Sequence, residues 1–481
     1  MMIDRTIEPR PSPMRYVLRI AGVFAALVLG TSSLSSQTPA ELQKLQDEAV
    51  QRAKEYLRIN TANPPGNEVA SMQWFARMLK DEGIPFDTVT TAPGRGNIWA
   101  RLKGGSEPAL LLLHHMDVVP ADPRYWDVDP YSAEVRNGDI YGRGALDTKL
   151  LGITHFQTFI ALHRLKVPLN RDVIFMATAD EEAGGALGAG WIVKNRPEAF
   201  RGAGFVLNEG GSGGVDAGGR QQFGIEVTQK VPLWLKLIAT GNPGHGSQPQ
   251  VSTAVTRLIR ALDRLRTYEF APRIVPAVDA YFKGLAPNAG LWQAAFQDMV
   301  KAVQDRNTLL RLQAEAPAYA ALTRNTCSIT MLEASNKINV VPPEATAQID
   351  CRTLPDQDHA AFIAELGSVL NDPAIRIEKI LGFVPAVSPQ DNIAYRAMVD
   401  VTRKHFPQAV VIPLVQTGFT DSHFFRGLGI PSYGYGPFLI PADQQTGLHG
   451  NNERMSEANI RRGTAIMLEV VQRIVQRAAT Q

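Results

Sequence analysis

A chain of 481 residues, 44% hydrophobic and 20% charged, can bury a large core and is long enough for two domains. Its 49 Lys and Arg nearly balance 47 Asp and Glu, and no Lys/Arg run interleaves with aromatics. That balance describes a soluble globular protein and excludes the basic field that nucleic acid requires.

Residues 1–36 depart from this character. Arg15 and Arg19 precede the apolar run 20–30, and a small polar tract, 31–36, follows it. This is the order of the charged, apolar and cleavage regions of a secretory signal. The run is short for a bilayer span, so the alternative is an uncleaved N-terminal membrane anchor. The expectation is an exported chain, periplasmic or secreted, whose mature part begins near Gln37 and has no stable membrane span.

Helical apolar spacing follows at 41–60 and 68–82, separated by Pro64-Pro65 and Gly66. Short β-rich runs at 97–102, 109–113, 172–179 and 204–207 then alternate with helical cover at 148–165 and 191–194. The alternation predicts an α/β layered fold with a largely parallel sheet. Near Val231 the pattern changes to strand 233–239, helix 252–267, strands 326–332 and 345–353, helix 359–370 and strand 375–380, the ferredoxin-like order. The helix-rich stretch 268–324 interrupts it and reads as an insertion. From Asn392 the α/β character resumes, closing with a helix at 457–477. The expected organisation is a large domain in two parts, 37–230 and 385–481, with a small domain, 231–384, inserted between them. Cys327 and Cys351 fall in two strands of the small domain that a hairpin could bring opposite each other. A single bridge in an oxidising compartment and two buried thiols both remain open, and neither spacing is that of a zinc-thiolate site.

The candidate chemistry collects where strands end. The run 173–179 leads into Asp180-Glu181-Glu182, two adjacent glutamates after a buried strand. The run 109–113 leads into His114-His115-Met116-Asp117, in which His115 is the better metal ligand and His114 a packed continuation of the strand. Asp147 closes Gly142-Arg143-Gly144-Ala145-Leu146-Asp147 at a helix start, where it either caps the helix or bridges two cations with its two oxygens. Glu209 follows the run 204–207, and His449 lies in a loop before the final helix. Ligands gathered at one sheet edge point to a metal site.

The segments LLHHMDVVP, GRGALDTK, ADEEAGG, NEGG, GHGSQP, NVVPPEATAQIDCRTLP, GFTDSHFFR and GLHGNNE occur in that order. They resemble the motif set of the aminoacylase/carboxypeptidase family of two-metal exopeptidases, which includes carnosinases, glutamate carboxypeptidase and succinyl-diaminopimelate desuccinylase, and the resemblance runs from about Glu41 to the end. It implies a large α/β exopeptidase domain with a mixed, mainly parallel sheet and an inserted ferredoxin-like lid and dimerisation domain. It implies two divalent cations, zinc first, with cobalt or manganese as alternatives. His115 and Glu209 would hold one, Glu182 and His449 the other, and Asp147 both. Glu181 would be the general base and Asp117 the carboxylate that orients His115.

On the substrate side the resemblance implies that Asn339 and Arg352 hold a carboxylate, with Gly418 and Thr420 beside them. His245 would donate to the developing oxyanion, reaching the partner's metal site in a homodimer. Read without the resemblance, the alternative for Arg352 is a surface ion pair with Asp350 or Asp356, and His245 is a turn residue. Phe419 stands where the family often has a small residue, and the 268–324 insertion resembles that of longer vacuolar carboxypeptidase-like and N-acyl-amino-acid hydrolase members. Both features tilt the expected specificity toward an apolar group. The expected activity is metal-dependent hydrolysis of the amide bond of peptides or N-acyl amino acids with a free carboxylate. The alternatives are a dipeptidase that requires a free amine and a ligand-binding relative without catalysis.

Overall fold

Strands covered on both faces read as continuous apolar runs rather than alternating ones, and Glu107–His115 is such a strand: every residue from Ala109 to His115 is buried. Its side chains divide between two layers. Leu110 and Leu112 enter a core with Phe75, Phe156 and Phe175, while Leu111 and Leu113 enter another with Ile174, Met176, Ile192 and Phe425. The computed structural model describes residues 38–216 and 218–476, so the N-terminal signal reading lies outside the described residues.

Glu107–His115 sits inside a ten-stranded mixed sheet. Arg171–Thr178 and Ala203–Asn208 flank it in parallel, and Ser432–Gly434 continues the parallel block. Arg95–Leu102 and Phe86–Ala92 add antiparallel strands at one side, and Gln221–Gln229 adds one at the other. The register pairs His115 with Thr178 and Leu112 with Leu207, so the carboxyl ends of three neighbouring parallel strands finish at one edge. The helices Pro39–Leu57, Lys149–Arg164 and Glu457–Val475 pack on one another in the core of one face. In Lys149–Arg164 the residues from Lys149 to Leu162 are all buried, which is why its sequence shows no polar face.

A second, four-stranded sheet has the order Thr326–Glu333, Glu344–Thr353, Val231–Thr240, Ile375–Gly382, with every pairing antiparallel. Helices Ala254–Thr267 and His359–Leu370 cover it in a core of its own, Leu233, Leu235 and Leu237 against Leu258, Leu262, Phe362 and Leu366. Strand order and helix placement are ferredoxin-like, as the sequence predicts. Cys327 and Cys351 are directly opposed in this sheet and joined by a disulfide.

Two features were not legible in advance. The strands Gln221–Gln229 and Val410–Gln416 pair in parallel, yet Gln221–Gln229 carries the buried polar residues Glu226, Thr228 and Gln229, which mask an apolar run. Glu226 is held by Arg426, and the Thr228 hydroxyl donates to the Ala386 carbonyl. The 268–324 insertion, in sequence a part of the small domain, packs elsewhere: Val278, Phe282 and Leu285 of helix Pro276–Leu285 join the same core as Ile412 and Val415 of the large sheet. Gly284 makes this approach feasible, because a Cβ there would lie 2.3 Å from Ile412 Cγ2.

Candidate metal centre

His115 is the last residue of its strand and is buried. Its Nδ1 lies 2.9 Å from the Asp117 carbonyl oxygen, and its Nε2 lies 3.1 Å from Asp147 Oδ1 and 3.4 Å from Glu209 Oε1. The orienting partner is thus chiefly the Asp117 backbone, with the Asp117 carboxylate farther off at 3.5 Å. That carboxylate instead accepts from the Asn63 side-chain amide at 2.7 Å and from the backbone N–H groups of Glu181 and Glu182 at 3.1 and 3.2 Å. Asp117 therefore fixes the turn that carries both glutamates.

The turn is entered through Asp180 in the left-handed region, at φ 72°. An aspartate tolerates this conformation when its side chain is held, and here Asp180 accepts from Leu187 N at 2.9 Å and pairs with Arg95, which also binds Glu68. His114 packs against Tyr56, Phe75 and Phe175, the structural role expected for it.

Asp147 does not cap the helix that follows; Thr148 occupies the N-cap position. Its two oxygens instead face two histidines, Oδ1 toward His115 and Oδ2 toward His449 Nε2 at 3.0 Å. His449 Nε2 is also 3.2 Å from Glu182 Oε2. The turn around Asp147 is pinned by Glu453, which is fully buried and accepts from the N–H groups of Gly144, Leu146 and Asp147 and from Arg143 Nη1. No local pattern in the sequence marks the roles of Glu453, Asn63, Asp180 or Arg95. Glu453 ends the GLHGNNE segment and Asp180 opens the acidic turn, but the partners that give them roles are distant in sequence.

Among the described residues, two groups have ligand atoms within 4.8 Å of one another: His115, Asp147 and Glu182, and His115, Glu181 and Glu209. Burial pushes Glu209 up to about 7, with Asp147 and Glu182 adding to the effect against the pull of His115. Burial also raises Glu181 well above the carboxylate range, and Glu182 to a lesser degree. His449 is raised to about 10 by Asp147 and Glu182. Burial would lower His115, but Glu209, Asp117 and Asp147 lift it well above the usual imidazole range. Four carboxylates share a poorly solvated space, and Glu181 Oε1 and Glu182 Oε1 are buried without a hydrogen-bond partner. Such a cluster is what divalent cations neutralise, and its imidazole and carboxylate donors suit zinc, cobalt or manganese. The residues fit a metal site.

The cluster opens into a cavity of about 1050 Å³ that Gly418, Phe419, Thr420 and Arg352 also line. Arg352 Nε and Nη2 donate to Asp350 at 2.8 and 3.1 Å, which realises the ion pair read from the sequence, while Nη1 is buried without a partner. Its guanidinium also lies over the Phe419 ring, 5.8 Å from the centroid. His245 and Asn339 are not brought to the cluster within one chain. They meet on a short two-stranded pairing, Gly244–His245 with Val340–Val341, are both exposed, and do not line the cavity.

Imidazole and carboxylate ligands converging at the ends of parallel strands, over a cleft with a guanidinium in it, define a metallo-hydrolase. The chain belongs to peptidase family M20/M25/M40, whose profile matches residues 111–473. It is 30% identical over 390 residues to N-fatty-acyl-amino acid synthase/hydrolase of Mus musculus, covering 76% of this chain and 75% of that one. It is 28% identical over 431 residues to aminoacylase-1 of Sus scrofa, covering 87% and 93%. A metallo-carboxypeptidase of the M20 family from Sulfolobus solfataricus shares the fold with a TM-score of 0.66 at 21% identity, over 89% of this chain and 99% of that one. Human carnosine dipeptidase 1 shares it at 0.59 and 18% identity, over 90% and 98%.

Proposed function

We propose that this chain hydrolyses the amide bond of N-acyl amino acids that carry a free carboxylate, using two divalent cations, zinc first. The observation that carries the reading is Asp147 standing between two half-sites, His115 with Glu209 and His449 with Glu182, in a cavity that Arg352 also lines. His115, Glu209 and one oxygen of Asp147 would hold one cation, and His449, Glu182 and the other oxygen the second. When bound, the cations supply Lewis acidity, polarising the scissile carbonyl and making water a stronger acid.

Glu181 lies beside the ligands but off the Asp147 axis, with Oε2 4.0 Å from His115 Nε2 and Oε1 unpaired. That unpaired oxygen is the position from which Glu181 takes a proton from water and returns it to the leaving amine. Arg352, held in orientation by Asp350, offers its guanidinium to the substrate carboxylate. The similarity to aminoacylase-1 and to N-fatty-acyl-amino acid synthase/hydrolase supports an N-acyl substrate.

The reading includes a two-fold dimer in which His245 serves the partner's site. Exposed Met331 and Leu332 on the edge strand of the four-stranded sheet, and exposed Ile338 two residues before the Val340–Val341 strand that pairs with Gly244–His245, support such a pairing. It also includes export, which the Cys327–Cys351 disulfide supports. The test is a screen that detects released product from N-acyl amino acids and free-amine dipeptides, with zinc, cobalt or manganese supplied. Turnover of N-acyl amino acids is the expected result, and turnover of free-amine dipeptides alone would replace the reading with a dipeptidase.

A further inference from the structure

The metal cluster occupies one part of a cavity whose volume, about 1050 Å³, is at the top of the ~300–1,000 Å³ range of pockets that enclose drug-sized ligands. One part of the remaining wall comes from the 268–324 insertion, which contributes Leu285, Asn288, Ala289, Trp292, Phe296 and Tyr319. No charged residue is among them. The wall is rigidly built. Phe282, Phe296 and Tyr319 form an edge-on cluster with ring centroids 4.8, 5.4 and 5.8 Å apart, and Trp292 stacks on Phe296 at an interplanar angle of 20°. The Arg311 guanidinium lies 5.0 Å from the Trp292 ring centroid. At the far end of the insertion Lys230, buried where the two sheets connect, donates from Nζ to the carbonyls of Ala321 and Arg324.

We propose that this insertion is the acyl-chain subsite: a long, unbranched acyl group of the substrate lies along Leu285, Ala289, Trp292, Phe296 and Tyr319, while its carboxylate is held at Arg352. The inference rests on the N-acyl amino acid reading and specifies it. A free α-amine finds no carboxylate on the insertion's part of the wall, whereas methylenes gain burial there. An acyl group and a long amino-acid side chain are the two parts of the substrate that could fill this wall, and the two substrate series below tell them apart. Each methylene buried there raises kcat/KM about fourfold until the wall is covered.

The experiment measures kcat/KM of the metal-loaded enzyme for N-acetyl, N-hexanoyl and N-decanoyl forms of one amino acid, and for N-acetyl forms of amino acids with increasingly long side chains. Wild type, Ala289→Trp and Trp292→Ala are compared. The expected result is a rise with acyl length in the wild type and a fall of the decanoyl-to-acetyl ratio by about tenfold or more in both variants, the worth of roughly two methylenes. The ratio is internal to each protein, so a variant that folds poorly lowers both rates and leaves it readable. A ratio within twofold of wild type in both variants, or variants that change the side-chain series instead, would overturn the subsite. If the wild type turns over N-acetyl substrates without any gain from acyl length, the subsite fails and the hydrolase reading stands. If no N-acyl amino acid is turned over, both fail.

Discussion

Glu181 and Glu182 are neighbours in one short turn, yet they face different partners: Glu182 Oε2 lies against His449, and Glu181 has one oxygen unpaired. Glu181→Gln should therefore keep its metal and lose about 10²–10⁴-fold in kcat, whereas Glu182→Gln should lose metal as well. Metal content and turnover of the two purified variants separate these outcomes, and near-normal turnover of Glu181→Gln would remove it as the base. Arg352→Ala should cost a free-acid substrate about 1.5–3 kcal/mol, some 10- to 150-fold in kcat/KM, and cost the corresponding amide little. Equal losses on acid and amide would make Arg352 a structural partner of Asp350. At this scale the sequence was informative for His115, Glu182 and Glu209, which end a strand or follow one closely, and the register of parallel strands brings such ends together. It was uninformative for Glu453 and Asn63, since a buried carboxylate that collects backbone N–H groups leaves no local pattern. It also left Asp147 divided between cap and bridge; the cap position falls to Thr148, and the Asp147 oxygens face His115 and His449, which lie far away in sequence.

Among the elements, the ferredoxin-like order of strands and helices was legible because its apolar periodicities are short and separated by turns. The Cys327–Cys351 pairing was not, because two strands with a hairpin between them leave the register open until the partners are aligned. The disulfide closes a sequence separation of 24 residues, a loop for which chain entropy gives about 3.5 kcal/mol. Cys327→Ala should accordingly lower the denaturation midpoint under non-reducing conditions, and a reductant should bring wild type down to the variant. A reductant-insensitive midpoint in the wild type would show that the bond adds no stability. The seat of the insertion was beyond the sequence for a related reason. The buried face of Pro276–Leu285, with Val278, Phe282 and Leu285, states that the helix covers something, while chain order suggests the wrong partner. Gly284, facing Ile412, is the one residue that marks the true one, and a glycine in a helix does not by itself say which strand comes close to it.

For the whole molecule, His245 and Asn339 lie off the cavity of their own chain, and in the proposed dimer His245 would serve the partner's site. If Glu181→Ala and His245→Ala chains are each inactive and are unfolded together and refolded as random dimers, about half the dimers are mixed, and each mixed dimer has one intact site. Activity should return to roughly a quarter of wild type. No return, with His245 still essential, would place it in the site of its own chain or in a purely structural role. The central claim, two cations bridged by Asp147 and required for hydrolysis, is tested most directly by stripping the enzyme with a chelator and titrating zinc back, with bound metal and released amino acid measured together. The account predicts that the stripped enzyme is inactive and that turnover of an N-acyl amino acid is restored as binding saturates at two equivalents per chain. Full turnover without metal, or saturation of binding and activity at one equivalent, would contradict it.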